Sequence, residues 1–206
     1  MRSATVLMTS MNARLTIGAI AIGVAGIVAI VSTAQNLTRV QAAAYHNASQ
    51  SDITFWVWDA PPTTARALAE LPNVADAELR NNYFTKCKWN GEFRDVYLWG
   101  LESFANQRIN QIRIARSESD EAAYASRAPQ AGEFVAETSV RALFPVQVGD
   151  AIACRARDGS LRTLTLSGFA QSPNYPSATI LDFATVYANA EDVQRLLGIG
   201  GANQAL

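Results

Sequence analysis

A run of seventeen residues, Leu15 to Val31, carries no charge and only one polar side chain, Thr16. Nine of the seventeen are Leu, Ile or Val, so a helix here is apolar all round and has no polar stripe for water. Crossing roughly 30 Å of hydrocarbon takes about 20 helical residues. The uncharged window continues through Ser32, Thr33 and Ala34 and supplies that length. Nine such side chains favour insertion by roughly 3 to 5 kcal/mol. The stretch therefore reads as a transmembrane helix, and the rest of the chain must be organised around one anchor.

Arg2 and Arg14 precede this helix, and all eighteen Asp and Glu residues follow it. Flanking Lys and Arg stay on the cytoplasmic side, which places the N-terminus on the inside of the membrane and the main domain outside. The resulting division is a cytoplasmic N-terminus (1–14), a membrane helix (15–34), a connector (35–50), an extracytoplasmic α+β domain (51–198) and a tail (199–206). The rival reading is a cleaved signal sequence, because Ser32 and Ala34 have the small side chains a signal peptidase accepts. Against it, seventeen apolar residues exceed the usual ~7 to 15. Small residues recur at Ala21, Ala25 and Ala29, with Gly18 beside that line, and give the helix one flattened face that another membrane helix can approach closely.

Seventeen basic residues against eighteen acidic ones leave no electrostatic footprint for nucleic acid. Cys87 and Cys154 are the only cysteines, with no CxxC and no Cys/His cluster, which sets aside a structural zinc or thioredoxin-type site. They either pair in an exported domain or sit separately as small apolar residues in strands. The connector is polar and Ala-rich and holds the only histidine, His46, a solvated surface residue with no second ligand near it. Asn36-Leu37-Thr38 and Asn47-Ala48-Ser49 fit a glycosylation sequon that matters only in a secretory-pathway host.

Ile53, Phe55 and Val57 alternate with Thr54, Trp56 and Trp58, the period of a half-buried strand. After the break at Asp59-Ala60-Pro61-Pro62, a short helix is expected through Leu71, stopped by Pro72, then a strand from Val74 to Tyr83 in a β-α-β unit. Asn90-Gly91 between Phe84–Trp89 and Phe93–Trp99 signals a two-residue hairpin that sets Lys86 opposite Asp95. Residues 101–127 read as an exposed loop with some helix, and Ile109, Ile112 and Ile114 form its only apolar cluster. A strand over Phe134 to Ala136 and a short helix over Ser139 to Leu143 follow.

Asp158-Gly159 turns Ala151–Arg157 back into Leu161–Ala170. A two-residue loop would oppose Arg155 and Arg162, so a bulged three-residue loop through Ser160 is expected, with Ile152, Cys154, Leu164 and Leu166 on one face. Tyr175 lies in a turn-rich loop, either exposed or packed in the core. A last strand over Val186 to Ala188 leads to a helix from Ala190 to Leu197 closed by Gly198.

The chain has no GxxxxGK[ST] loop, no HExxH, no GxSxG and no second histidine to pair with a nucleophile. Glu133 and Glu137 lie four apart near Ser139, but a Glu on an exposed strand or helix face is usually only solvated. No catalytic, cofactor or metal residue is nominated.

Arg14-Leu15-Thr16 followed by Ile20-Ala21-Ile22-Gly23-Val24 resembles the first membrane helix of the FtsX-like permeases of ABC transporters, which include the MacB-type and LolCE-type proteins. Leu71-Pro72-Asn73-Val74-Ala75 with Ala77-Glu78 and Arg80 resembles that family's "lpgV..ae.R" segment. Gly132-Glu133, then Val148-Gly149-Asp150, Asp158-Gly159 and Gly168 follow its "GE…vGD…dG…v.G" order. The resemblance covers nearly the whole chain. It implies a mixed α/β extracytoplasmic domain of the MacB periplasmic core type, no catalysis of its own, ATP bound on a separate ATPase subunit, and further permease helices or a second permease copy in a dimer. Substrates across the family include lipoproteins, peptides and drugs. Because residues 1–206 hold one apolar span, the expectation is an N-terminal fragment, a truncated product or one part of a split permease. The alternative is a secreted or singly anchored binding module with residues 1–34 as its signal.

Overall fold

The computed structural model describes residues 2–114, 127–175 and 177–206. Two units separate at Ala44/Tyr45. The first is a helix, α1 (Arg2–Asn47), of 46 residues, about 70 Å at 1.5 Å per residue. It continues unbroken from the apolar window through the Ala-, Gln- and Asn-rich connector, whose residues are good or neutral helix formers with no Gly or Pro.

Among its described residues, the second unit has nine strands and four short helices. In chain order they are β1 (Phe55–Ala60), α2 (Thr63–Ala69), β2 (Leu79–Trp89), β3 (Glu92–Leu101), β4 (Arg113–Ile114), β5 (Glu133–Glu137), α3 (Val140–Leu143), β6 (Ala151–Arg155), β7 (Leu161–Gln171), α4 (Ala178–Leu181), β8 (Ala184–Asn189), α5 (Ala190–Leu197) and β9 (Ala202–Ala205). The pairings β2–β3, β3–β8, β8–β5, β5–β7, β7–β6 and β6–β2 return to their starting strand. Six strands thus close into a small barrel, parallel at β3–β8 and β5–β7 and antiparallel elsewhere.

Alternation decides what fills it. Cys87 and Trp89, Val96 and Leu98, Phe134 and Ala136, Ile152 and Cys154, Leu164 and Leu166, and Ala184, Val186 and Ala188 point inward and form one core, as the two-residue period of a strand requires. β8 runs from α4 to α5, and antiparallel β5 runs into α3, so α3 and α4 close one end of the barrel and α5 the other. Val140 and Ala178 plug the first end, and Val193, Leu196 and Leu197 the second. Outside the barrel, Trp99, Leu101, Val135, Ala170 and Tyr187 are covered by Phe104, Ile112, Ile114 and Tyr175. Ile112 is therefore buried rather than part of an exposed loop, and Tyr175 packs edge-on against Tyr97 and Trp99 at 5.5 and 4.9 Å. The rest of the expected loop, 115–126, lies outside the described residues.

The long strands β2 and β7 overrun the barrel. The start of β2 carries β9 and then β1 beside it, and the end of β7 carries β4. The expected tail 199–206 is thus a strand inserted between β1 and β2. It was invisible as a strand because ANQA has neither β-branched nor aromatic residues. Leu206 and Glu78 exchange main-chain hydrogen bonds beyond it. Residues 74–78 are not strand, and β2 is one strand rather than two. The helix after β1 ends at Ala69, short of Leu71.

The Asn90-Gly91 turn has both residues at positive φ, 49° and 89°, and sets Lys86 opposite Asp95 as expected. The β6–β7 loop has three residues and a bulge at Gly159 (φ 82°), but they are 157–159, with Ala156 N–H donating to Ser160 O. Arg157 N–H donates instead to Leu197 O, which draws it off the ladder. The two-residue shift leaves every side chain on its expected face.

At Gly100 the α5 helix touches the barrel. A Cβ there would meet Asn81 Cβ at 2.9 Å, Ala190 Cα at 3.0 Å and Val193 Cβ at 3.1 Å. Gly100→Val is expected to destabilise the domain by about 2 to 3 kcal/mol through overpacking, seen as a thermal midpoint lowered by about 4 to 12 °C. An unchanged midpoint would show that α5 does not pack on β3 this closely.

Candidate functional site

Three features carry chemistry or surface: the apolar helix, the seam where the barrel closes, and the aromatic strand at the sheet's edge. On α1, Ala21, Ala25 and Ala29 are four apart and Gly18 is three before Ala21, so they share one face at 100° per residue. Nothing lies within 4 Å of a Cβ built at Gly18, Gly23 or Gly26. Ile20 and Ile30 are exposed on other faces, and Ile22 is exposed just beside this one. The candidate span, Thr16–Asn47, has a mean hydropathy of 2.3 in its most apolar window.

The seam brings together Cys87 and Cys154. They are direct cross-strand partners in β2 and β6, joined by a disulfide and both fully buried inside the barrel. Beside them Trp89 faces Ile152 and packs edge-on against Phe134 at 5.4 Å and Phe144 at 5.1 Å. Past Cys87 and Cys154 the two strands part. A cleft of about 600 Å³ opens there, lined by Tyr83, Phe84, Thr85, Lys86, Arg155 and Arg157 together with Phe93, Ala156, Leu197 and Ile199.

β1 is the edge of the sheet, and its aromatic residues are not half-buried. Trp56 is 67% and Trp58 88% exposed, with Ile53 and Phe55 also exposed. The alternation was real, but only one flank is covered: α2 places Ala65 and Leu68 over Val57, Ala60 and Leu79. The register with β9 also breaks between Trp56 and Ala60, where Asp59 takes a φ of 51° and its carboxylate accepts from Gly201 N–H.

Several acidic residues are engaged in structure. Glu133 takes a bidentate contact from Arg127 at 2.7 and 2.8 Å, and that guanidinium holds its carboxyl below the usual range. Glu137 accepts from the main chain and hydroxyl of Ser139. Arg80 is buried against Glu78 at 2.9 Å, with burial pulling its pKa down and Glu78 opposing that. Burial pushes the Tyr175 and Tyr187 phenols far up, so both stay neutral. His46 is exposed, and no group of three metal-binding side chains occurs among the described residues.

A sequence profile for the MacB-like periplasmic core domain matches residues 14–204, from the start of the apolar window into β9. The chain belongs to this family. A MacB-like periplasmic core is a domain of ABC transporter permeases and not an enzyme family. Among solved structures, the extracellular domain of the noncanonic ABC-type transporter YknZ from Gram-positive bacteria matches with a TM-score of 0.44 and 9% identity, covering 74% of this chain and 79% of that one. The periplasmic region of MacB from Actinobacillus actinomycetemcomitans matches with a TM-score of 0.43 and 10% identity, covering 73% of this chain and 64% of that one. No curated protein gives a significant sequence match.

Sequence reasoning did not find the seam cleft, because its two walls lie about seventy residues apart and meet only when the barrel closes. The spacing of Cys87 and Cys154 was the one signal pointing there. The disulfide closes a loop with a sequence separation of 67. Replacing both cysteines by alanine is expected to cost about 4 kcal/mol in the chain-entropy account, read from the denaturant midpoint of the full chain. A midpoint unchanged from wild type would mean that the seam does not depend on the bond.

Proposed function

We propose that this MacB-like chain is the membrane-anchored N-terminal part of an ABC transporter permease. In this reading α1 crosses the membrane with its N-terminus in the cytoplasm, and the barrel domain stands on the extracytoplasmic side. A separate ATPase subunit binds ATP, and its conformational change reaches the outer domain through α1 and further permease helices, in service of export or of lipoprotein, peptide or drug handling. The face of Gly18, Ala21, Ala25 and Ala29 is where another permease helix, from a partner subunit or a second copy, would approach.

The observation that carries this reading is the extent of the family match, which takes in the apolar helix and the barrel as one unit. The charge asymmetry around the helix supports the orientation. The apolar core and close packing of the barrel suit a body that moves as a whole, since packed interiors transmit displacement with little deformation.

The test is affinity purification of the tagged full chain from its native membranes in mild detergent. An ABC ATPase subunit is expected to co-elute in a fixed ratio and to retain ATP hydrolysis. Elution without any ATPase, from membranes in which a related transporter keeps its own, would contradict the proposal.

A further inference from the structure

The seam cleft lies along a strand edge rather than over a sheet face. Its wall on β2 contains four consecutive residues, Tyr83, Phe84, Thr85 and Lys86, whereas a face would present only every second one. The opposite wall, Arg155, Ala156 and Arg157, is consecutive as well. Two main chains therefore look at one another across a gap.

The direction of the β2 main chain follows from its hairpin. Trp89 and Glu92 flank the two-residue turn, so they exchange hydrogen bonds, and from there odd residues of β2 address β3 while even residues address the other side. The even positions are taken in turn by three different partners. Glu78 bonds Leu206, Arg80 pairs with Gln204 of β9, and Lys88 pairs with Ala153 of β6. At Asn82 no strand is present, and the side chain of Asn203 substitutes for one: its Oδ1 accepts from Asn82 N–H at 2.7 Å and its Nδ2 donates to Asn82 O at 2.7 Å. Phe84 comes next. Among the described residues its outward main-chain N–H and C=O have no strand opposite them, and they open into the cleft.

The charges that line the cleft have one sign. Lys86, Arg155 and Arg157 line the cleft with no acidic residue among its walls. Lys86 is paired with Asp95 at 2.7 Å. Arg155 and Arg157, two residues apart, have no acidic partner among the described residues; Arg155 lies over the Phe93 ring at 5.9 Å. Phe84 and Phe93 add exposed aromatic surface.

The geometry points to a strand-addition site: an extended segment of another polypeptide, with carboxylates two residues apart and apolar side chains between them, lies along Phe84 between β2 and the chain at 155–157. Main-chain hydrogen bonds to Phe84 hold it, as in β-augmentation generally, while Arg155 and Arg157 select its charge. Residues 83–85 offer about three extended residues of edge, at ~3.3 Å each. This inference does not depend on the transport reading, since the edge and its charges belong to the folded domain.

The test uses the full chain in phosphatidylcholine nanodiscs and a fluorescein-labelled capped hexapeptide of the pattern Thr-Val-Glu-Val-Glu-Val, followed by anisotropy. Binding is expected, weakened about tenfold or more when both Glu are replaced by Lys and by the variant Arg155→Glu/Arg157→Glu. Both arginines are on the surface, so that variant should keep the wild-type far-ultraviolet circular dichroism. Analogues N-methylated on every second amide, in either phase, keep the charge and apolar surface, and the phase whose donors face β2 should bind at least about tenfold more weakly. No binding of the acidic peptide at about 1 mM, or equal binding of both N-methylated analogues, would overturn the proposal. Decanoate displacing the peptide while giving the same dependence on Arg155 and Arg157, with both N-methylated analogues unimpaired, would identify an amphiphile pocket instead.

Discussion

Closure of the barrel depends on the β2–β6 seam, where only Cys87, Lys88 and Trp89 find partners, in Cys154, Ala153 and Ile152. The neighbouring β2–β3 ladder has ten pairs and a hairpin that makes them local. A ladder of three supplies few hydrogen bonds, each worth about 1 kcal/mol net, and must hold together chain segments far apart in sequence. Two things fix it: the covalent bond between Cys87 and Cys154, and Trp89, buried against Phe134 and Phe144 where the seam meets the α3 end. Without that closure the inward side chains of six strands would share no common interior.

The shortness of the seam explains the rest of β2. Its first half cannot reach β6 and takes β9 instead, which recruits β1 and α2 into a second, smaller layer around Leu79 and Ala202. Between the two ladders the strand passes a stretch in which Asn203 stands in for a missing neighbour and, among the described residues, Phe84 has no strand on that side. The same residues that define the closed barrel thus define where it is open. In the proposed permease a body of this kind would serve two ends, a rigid interior and an edge available to another chain.

Local signals were legible in the sequence. Asn90-Gly91 fixed the hairpin and the Lys86–Asp95 pairing because a type I′ turn leaves no freedom of register, and Gly198 marked the end of α5, where it takes a φ of 68°. The long N-terminal helix was legible because an apolar run without a stripe has few alternatives. Non-local pairing was not. Nothing in ANQA announces β9, and no periodicity says that β6 returns to β2. The Trp56 and Trp58 alternation reads identically for a central strand and for an edge, since burial depends on what lies beside the strand. α4 went unread because a helix of four residues has too few positions to show a period; it is held instead by Ser177 at its N-cap and by Ser139, which accepts from Ala178 N–H at 2.7 Å.

The central claim is that β2 is sealed to β6 at residues 87–89 and unpaired on that side at Phe84. Residue-resolved amide hydrogen exchange on the oxidised full chain tests it most directly, because protection follows hydrogen bonding and local opening. The account predicts that Lys88 is protected to a degree comparable with Trp99 in the β3–β8 ladder, while Phe84 exchanges orders of magnitude faster. Equal protection at Phe84 and Lys88, or rapid exchange at both, would contradict it.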